Sequence, residues 1–303
     1  MAAASLRALL SRSIDYAGMF PPCSLELEPA LKNQAEYTRL PDSWMLSAFV
    51  LPVAKFGAID QLISQFDKQH PLRVSALGPK TEDAATFASE LSKAMEAIRS
   101  LHQHHPEIVS VVQLEMMLPA DVDIKQLGQF AGLLAELKLH AFWETPAESA
   151  AQTISSLGRI KQPSFGYKLR TGGVTADAFP SSVQIARAIL ASTKHHVPIK
   201  FTAGLHHPVR QFRDEVKTEM HGFLNVIGAG VLSAEHHWDE AQTVDMLEDQ
   251  RPQSFEFHDT VFAWRDWEIT LDRIKARRKF ITSFGSCSFN EPREDLRALN
   301  LLL

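Results

Sequence analysis

The chain has 303 residues, 45% of them hydrophobic, with 22% charged and a formal charge of −5. That length suits one large α/β domain or two medium ones, and the apolar share is ample for a core. No run of lysine and arginine is longer than 275–279 and no apolar run reaches the roughly 18 to 20 residues a bilayer span needs, so neither nucleic acid nor membrane is an expected partner.

Residues 1–13 carry arginines and serines and no acid, in the manner of a transit peptide, but the segment is short and runs straight into Ile14-Asp15-Tyr16-Ala17-Gly18, so an opening helix is expected. From there short apolar runs alternate with helix-period stretches. Strands are expected at 13–17, 44–51, 72–77, 108–118, 140–144, 165–170, 197–202 and 280–284. Helices are expected at 58–67, 83–102, 123–137, 149–157 and 181–193, most with apolar residues three and four apart, such as Val183, Ile185, Ala186, Ile189 and Leu190. Eight strands with helices between them predict a parallel sheet clad in helices, an α/β protein built as a single (β/α)8 TIM-type barrel over residues 1–303. The interval 210–279 is too long for one crossover. Residues 220–232 read as a helix despite Gly228 and Gly230, and the aromatic stretch 254–269 reads as strand or helix. Extra helices are therefore expected before the last strand, in an elaborated connection between strands seven and eight.

In a barrel of this kind the site lies at the C-terminal ends of the strands. The polar groups there are Asp15 and the loop 16–22, Lys55, Lys80, Glu115, Glu144, Lys168, Arg170, Lys200, Thr202, His206, His207, and the last loop with Ser286 and Cys287. Lys168 and Lys200 draw most attention. Each ends a short strand that breaks into glycine, and one amphipathic helix joins the two, so they are expected side by side on adjacent parallel strands. Two close ammonium groups repel and burial disfavours charge, so at least one lysine is expected to have a lowered pKa, which makes a nucleophile toward carbonyls. The plainer reading pairs each lysine with a carboxylate.

Glu115 lies in the apolar run 111–118, where a buried carboxylate must be paired; it is either the partner of Lys168 or a proton shuttle, and Glu144 has the same two readings. Arg170 follows Lys168 by two and shares its strand face, so it is either an internal ion-pair partner or a planar fork for a carboxylate or phosphate. His206, His207, His221, His236 and His237 raise a metal, although none has the spacing of a strong metal motif; otherwise His206 is an acid or base and His236-His237 sit at a helix end. The loop 284–289 offers backbone amides to an anion or simply seals the barrel, and 16–22, stiff with proline and aromatics, is expected to wall the pocket. Cys23 and Cys287, at opposite ends of the chain, are expected to be reduced thiols of a cytoplasmic protein, though a barrel can bring them together.

Residues 165–209, with Lys168-Leu169-Arg170-Thr171-Gly172-Gly173 and Lys200-Phe201-Thr202-Ala203-Gly204, resemble the corresponding part of deoxyribose-phosphate aldolase, a class I aldolase on a (β/α)8 barrel. The resemblance implies Lys168 in the Schiff-base position, Lys200 as the lysine that tunes it, and an acidic residue on an inner strand, here Glu115. Arg170 inside the first motif and Leu205-His206-His207 in place of small residues in the second depart from that pattern, which puts a phosphate ester in doubt; with Arg170 as an anion clamp the substrate would be a keto or sugar acid. The expectation is a carbon–carbon lyase acting on a small, anionic carbonyl metabolite through an imine on Lys168, with Lys200 and Glu115 as its catalytic partners and no cofactor or metal. Arg170, Thr202, His206, Asp15, Glu144, Ser286 and Cys287 are the expected substrate-binding residues. The alternatives are a metal-dependent lyase, isomerase or hydrolase using His206 and His207, and a non-catalytic binding or scaffold barrel. A small molecule is the expected partner, and a homo-oligomer is left open.

Overall fold

Eight parallel strands close into a barrel in the computed structural model of the chain, which describes residues 2–303. They are β1 (Ile14–Tyr16), β2 (Leu46–Pro52), β3 (Leu72–Leu77), β4 (Val109–Met117), β5 (His140–Glu144), β6 (Phe165–Arg170) and β7 (Ile199–Thr202), with the last, β13 (Ile281–Ser286), between β7 and β1. The eight runs expected from the sequence are these eight. Their apolar continuity has a physical cause: a barrel strand is covered by helices outside and by side chains inside, so β2 is buried at six of its seven positions.

The helices are α1 (Ala4–Leu10), α2 (Leu27–Tyr37), α3 (Ala84–His104), α4 (Ala131–Glu136), α5 (Ala150–Ile160), α6 (Ser182–His195), α7 (Phe223–His236), α8 (Glu240–Leu247), α9 (Leu271–Arg277) and α10 (Asn290–Ala298). Asp83 caps α3 by accepting from the Thr86 amide at 2.8 Å, and Ser181 with Gln184 forms a capping box at α6. Two expected helices differ. Around 58–67 the chain winds as 3-10 turns, Val53–Gln61 and Ile63–Gln65, with only Phe56 and Ile59 buried to anchor an α-helix. The expected helix at 123–137 is a 3-10 segment, Ile124–Phe130, followed by α4, with Gly128 and Gly132 breaking its propensity.

Between β7 and β13 the chain holds helices as expected and also two small sheets. A hairpin, β8 (Gln211–Arg213) with β9 (Thr218–Met220), follows the seventh loop. Then come α7 and α8, a three-stranded antiparallel sheet of β10 (Phe255–Phe257), β11 (Val261–Trp264) and β12 (Trp267–Thr270), and α9. Gly230 suits α7 because a Cβ there would stand 2.7 Å from Ile281, so the helix lies directly on the last barrel strand. The three-stranded sheet meets α1, whose Ser5 amide donates to the His258 carbonyl at 3.2 Å. No helix of the described residues is long and apolar enough to cross a membrane.

Candidate active site

Strand register brings the chemistry together. Glu144 of β5 pairs with Lys168 of β6, and Lys168 with Lys200 of β7, so an acid and two lysines stand in one row across three neighbouring strands. Side chains from β1, β3, β4 and β13 complete the interior beside them.

Lys168 Nζ lies 2.9 Å from Glu115 Oε2 and 2.8 Å from Glu144 Oε2. Lys200 Nζ lies 2.6 Å from Glu115 Oε1 and 2.7 Å from Asp15 Oδ2, and it donates to Gln113 Oε1 at 2.6 Å. Ser75 donates to Glu115 Oε1 at 2.6 Å, and Ser283 donates to Asp15 Oδ2 at 2.7 Å. Both lysines thus bond the two oxygens of one carboxylate, well inside the roughly 10 Å beyond which their interaction would fade. The Phe142 ring centroid lies 5.3 Å from Lys200 Nζ, close enough for a cation–π contact.

The cluster holds three carboxylates for two lysines, and this decides the titration. Burial alone would raise the Glu115 carboxyl; the charges of Lys200 and then Lys168 overcome it and hold the group below the usual carboxylate range. Burial pulls Lys168 down, but Glu115 and Glu144 reverse it and the net direction is up. Lys200 behaves alike: burial lowers it, Asp15 and Glu115 more than restore it, and its pKa is raised. The lowered lysine pKa expected from lysine–lysine repulsion is therefore corrected. Repulsion between the two cations is outweighed because Glu115 lies between them and each has a second carboxylate of its own.

Above the cluster a cavity of about 270 Å³ opens at the C-terminal ends of the strands. Lys168 and Glu115 reach it from the barrel interior, while Lys200, fully buried, lies below. The rim comes from three loops: Phe20, Pro21 and Pro22 from the first, which was expected to wall the pocket, Ala203, Gly204 and His206 from the seventh, and Gly285 and Cys287 from the last. Arg170, Gly173 and Val174 after β6 close the remaining side. Gly204, at φ +74°, stands 3.0 Å by its would-be Cβ from the Gly172 Cα, so the loops after β6 and β7 run back to back only because both are glycine there.

Arg170 lines the cavity, is exposed, and has no carboxylate within 4 Å among the described residues, so it is not the internal partner of Glu115 or Glu144. Thr202 also lines the cavity, and its Oγ1 is buried without a hydrogen-bond partner among the described residues. His206 Nδ1 lies 3.0 Å from Glu291 Oε2 and His207 Nδ1 lies 2.6 Å from Asp295 Oδ2, so each imidazole is oriented by a carboxylate of α10. Among the described residues no three His, Cys, Asp or Glu side chains converge as metal ligands.

The other expected site residues are placed differently. Asp15 and Glu144 are buried partners of Lys200 and Lys168 rather than cavity wall. Ser286 is buried under its own turn, where its Oγ accepts from the Ser288 amide at 3.4 Å. Lys55 is exposed away from the cavity, and Lys80 borders a separate hollow beside the loops after β4 and β5. His221 is structural: Arg210 Nη1 lies 2.9 Å from Nδ1 and the Pro180 carbonyl 2.9 Å from Nε2, and burial pushes the imidazole down to about 4. His236 and His237 end α7, as the helix-end reading expects.

Sequence reasoning missed Ser75, Gln113 and Ser283. Gln113 was the most accessible of these, since it precedes Glu115 by two and strand alternation puts the pair on one face.

No family model and no curated protein matches the sequence. Among solved structures, two of a putative deoxyribose-phosphate aldolase from Toxoplasma gondii ME49 are similar to this chain. One, at 10% identity, covers 98% of this chain and 93% of that one with a TM-score of 0.41. The other, an apo form at 12% identity, covers 98% and 96% with a TM-score of 0.42. The barrel itself rests on the strand order described above.

Proposed function

We propose that the protein is a carbon–carbon lyase of the class I aldolase type, acting on a small anionic carbonyl compound through an imine on Lys168. One observation carries the reading: Lys168 is the lysine that lines the cavity, and two carboxylates are in contact with its amine. Its ammonium passes a proton to Glu144, and the freed amine attacks the substrate carbonyl carbon to give a carbinolamine. The second proton of that nitrogen is relayed by Glu115 to the carbinolamine oxygen, Glu144 gives back the proton it took, the oxygen leaves as water, and the positively charged imine remains on Lys168. A base at the β-hydroxyl then breaks the carbon–carbon bond, and the electrons move into the iminium to form an enamine.

His206 is suited to that base. Glu291 occupies its Nδ1, which leaves Nε2 as the nitrogen available to a substrate. Lys200 keeps Glu115 anionic and fixes its orientation, a different part from the direct tuning of Lys168 that the resemblance implies. Arg170, with no carboxylate partner among the described residues, is the fork for a carboxylate or phosphate on the substrate, and Thr202 stands beside it in the cavity wall. The cavity volume favours a molecule of few heavy atoms.

The test is reductive trapping. Borohydride added with a short aldehyde or 2-oxo acid should attach the reduced adduct to the peptide containing Lys168, and Lys168→Arg should take up none while keeping its circular dichroism spectrum. Adduct on other lysines alone, or turnover persisting in Lys168→Arg, would sink the imine reading.

A further inference from the structure

The two cysteines of the chain, 264 positions apart, meet at the cavity rim. Cys23 is exposed and directly follows the Pro21-Pro22 wall, whereas Cys287 is 5% exposed, follows β13 and lines the cavity. Their sulfurs are 3.0 Å apart. A disulfide bond is about 2.05 Å long, so joining them requires an approach of only about 1 Å between two loops already in contact. The chemical steps proposed above use neither thiol.

The two thiols differ in the way a reactive and a resolving cysteine differ. Cys23 meets solvent and any oxidant first. Cys287 is shielded: burial, and next the hydrogen bond with Cys23, push its thiol up to about 12, so it does not react first. His206 Nδ1 lies 3.8 Å from Cys287 Sγ.

We propose that Cys23 and Cys287 form a reversible dithiol–disulfide modification site, oxidised by hydroperoxides, that ties the first barrel loop to the last at the cavity rim. The Cys23 sulfur attacks the hydroperoxide, the O–O bond breaks, an alcohol (or water, from hydrogen peroxide) departs, and Cys23 becomes a sulfenic acid. The Cys287 sulfur then attacks the Cys23 sulfur; the S–S bond forms, the S–O bond breaks, and the departing hydroxide leaves as water with the Cys287 proton. Two thiols and one hydroperoxide thus give one disulfide, one alcohol and one water. The bond holds Phe20, Pro21 and Pro22 against the last loop, and it closes a 264-residue loop that constrains the unfolded chain.

The experiment treats the whole protein with hydrogen peroxide, alkylates the remaining thiols and maps peptides by mass spectrometry. The expected result is joint loss of both alkylatable thiols, a Cys23–Cys287 linked peptide, a higher melting temperature, and reversal of all three by dithiothreitol. In Cys287→Ser, Cys23 should accumulate as a sulfenic acid trapped by dimedone. In Cys23→Ser, an exposed and isosteric change, Cys287 should resist the same peroxide dose. Wild-type protein in which Cys23 is trapped by dimedone or over-oxidised while Cys287 stays alkylatable would overturn the proposal. So would Cys287 oxidising as fast in Cys23→Ser as in wild type. The linked-peptide result is independent of imine formation on Lys168, so either reading can fail alone.

Discussion

Replacing Lys200 by methionine keeps most of the side-chain volume and removes the charge from the deepest point of the cluster. Lys200 is fully buried, with Asp15 at 2.7 Å, Glu115 at 2.6 Å and Gln113 at 2.6 Å, so the variant strands Asp15 and leaves Glu115 with Lys168 alone. Removing one partner of a buried ion pair costs about 3–5 kcal/mol, and Asp15 loses its cation outright while Glu115 loses one of two. Urea unfolding near pH 7 should show a midpoint lowered accordingly with an unchanged slope. The pH dependence supplies a second check. In the native protein the Glu115 carboxyl is depressed, so its contribution is present above its unfolded pKa and is lost as pH falls through the folded one. Lys200 is raised, so its contribution is present below its unfolded pKa and is lost only as pH climbs through the folded one. In the variant, burial of Glu115 persists without its stronger cation. Its carboxyl moves up, the folded state takes up a proton, and the deficit should narrow as pH falls from about 7 to about 5. A deficit below about 1 kcal/mol near pH 7, or one that does not narrow toward pH 5, would refute the account of the cluster as a dry, mutually paired network.

Arg170→Leu should raise KM for an anionic carbonyl substrate by about 10- to 100-fold, the worth of a charge-assisted hydrogen bond, and leave borohydride labelling by a neutral aldehyde unchanged; steady-state kinetics on both compounds checks it. Gly204→Ala forces a side chain onto a φ of +74° and to 3.0 Å from the Gly172 Cα, so calorimetry should read a loss of about 1–3 kcal/mol, with an unchanged melting curve counting against the close loop approach. Glu144→Gln removes one of the two carboxylates that raise Lys168, so the lysine should titrate lower by NMR, while turnover should fall by about 100-fold for want of the proton acceptor.

The barrel was legible because its strands are short, apolar and buried on both sides, so position after position of Leu46–Pro52 or Phe165–Arg170 reports burial directly. The meeting of Lys168 with Lys200 followed from one helix joining two parallel strands. Their titration was not legible. It depends on Asp15, Glu115 and Glu144 from three other strands, and the sign of the lysine shift turns on which oxygens point inward. The stretch at β10–β12 stayed open between strand and helix for a local reason: Phe255, Phe257, Phe262, Trp264 and Trp267 fit either period, and its second hairpin turns at Arg265-Asp266, with Arg265 at φ 49°, rather than at a glycine. The 3-10 winding after β2 lay beyond propensity, because tertiary anchoring decides such weak segments.

In the proposed reaction a lysine raised by its neighbours must still be neutral when it attacks, and there are two routes to that state. If the proton leaves to bulk water, the reactive fraction is small below the raised pKa, and imine formation should climb about tenfold per pH unit from about pH 6 to 9. If it passes to Glu144 at 2.8 Å, the charge of the cluster is unchanged and no proton leaves the protein. In water such a transfer would oppose about 6 pKa units, or roughly 8 kcal/mol. Burial penalises both members of the ion pair and neither member of the neutral pair, so the cost falls as a substrate fills the cavity and displaces water from Lys168. The geometry favours the second route, since Lys168 and Glu144 are in contact and nearly out of solvent. Single-turnover trapping across that pH range should then give a nearly level rate, and Glu144→Gln should convert it to a rising one. A tenfold rise per unit in the wild-type protein would assign activation to bulk deprotonation and leave Glu144 as a structural counterion.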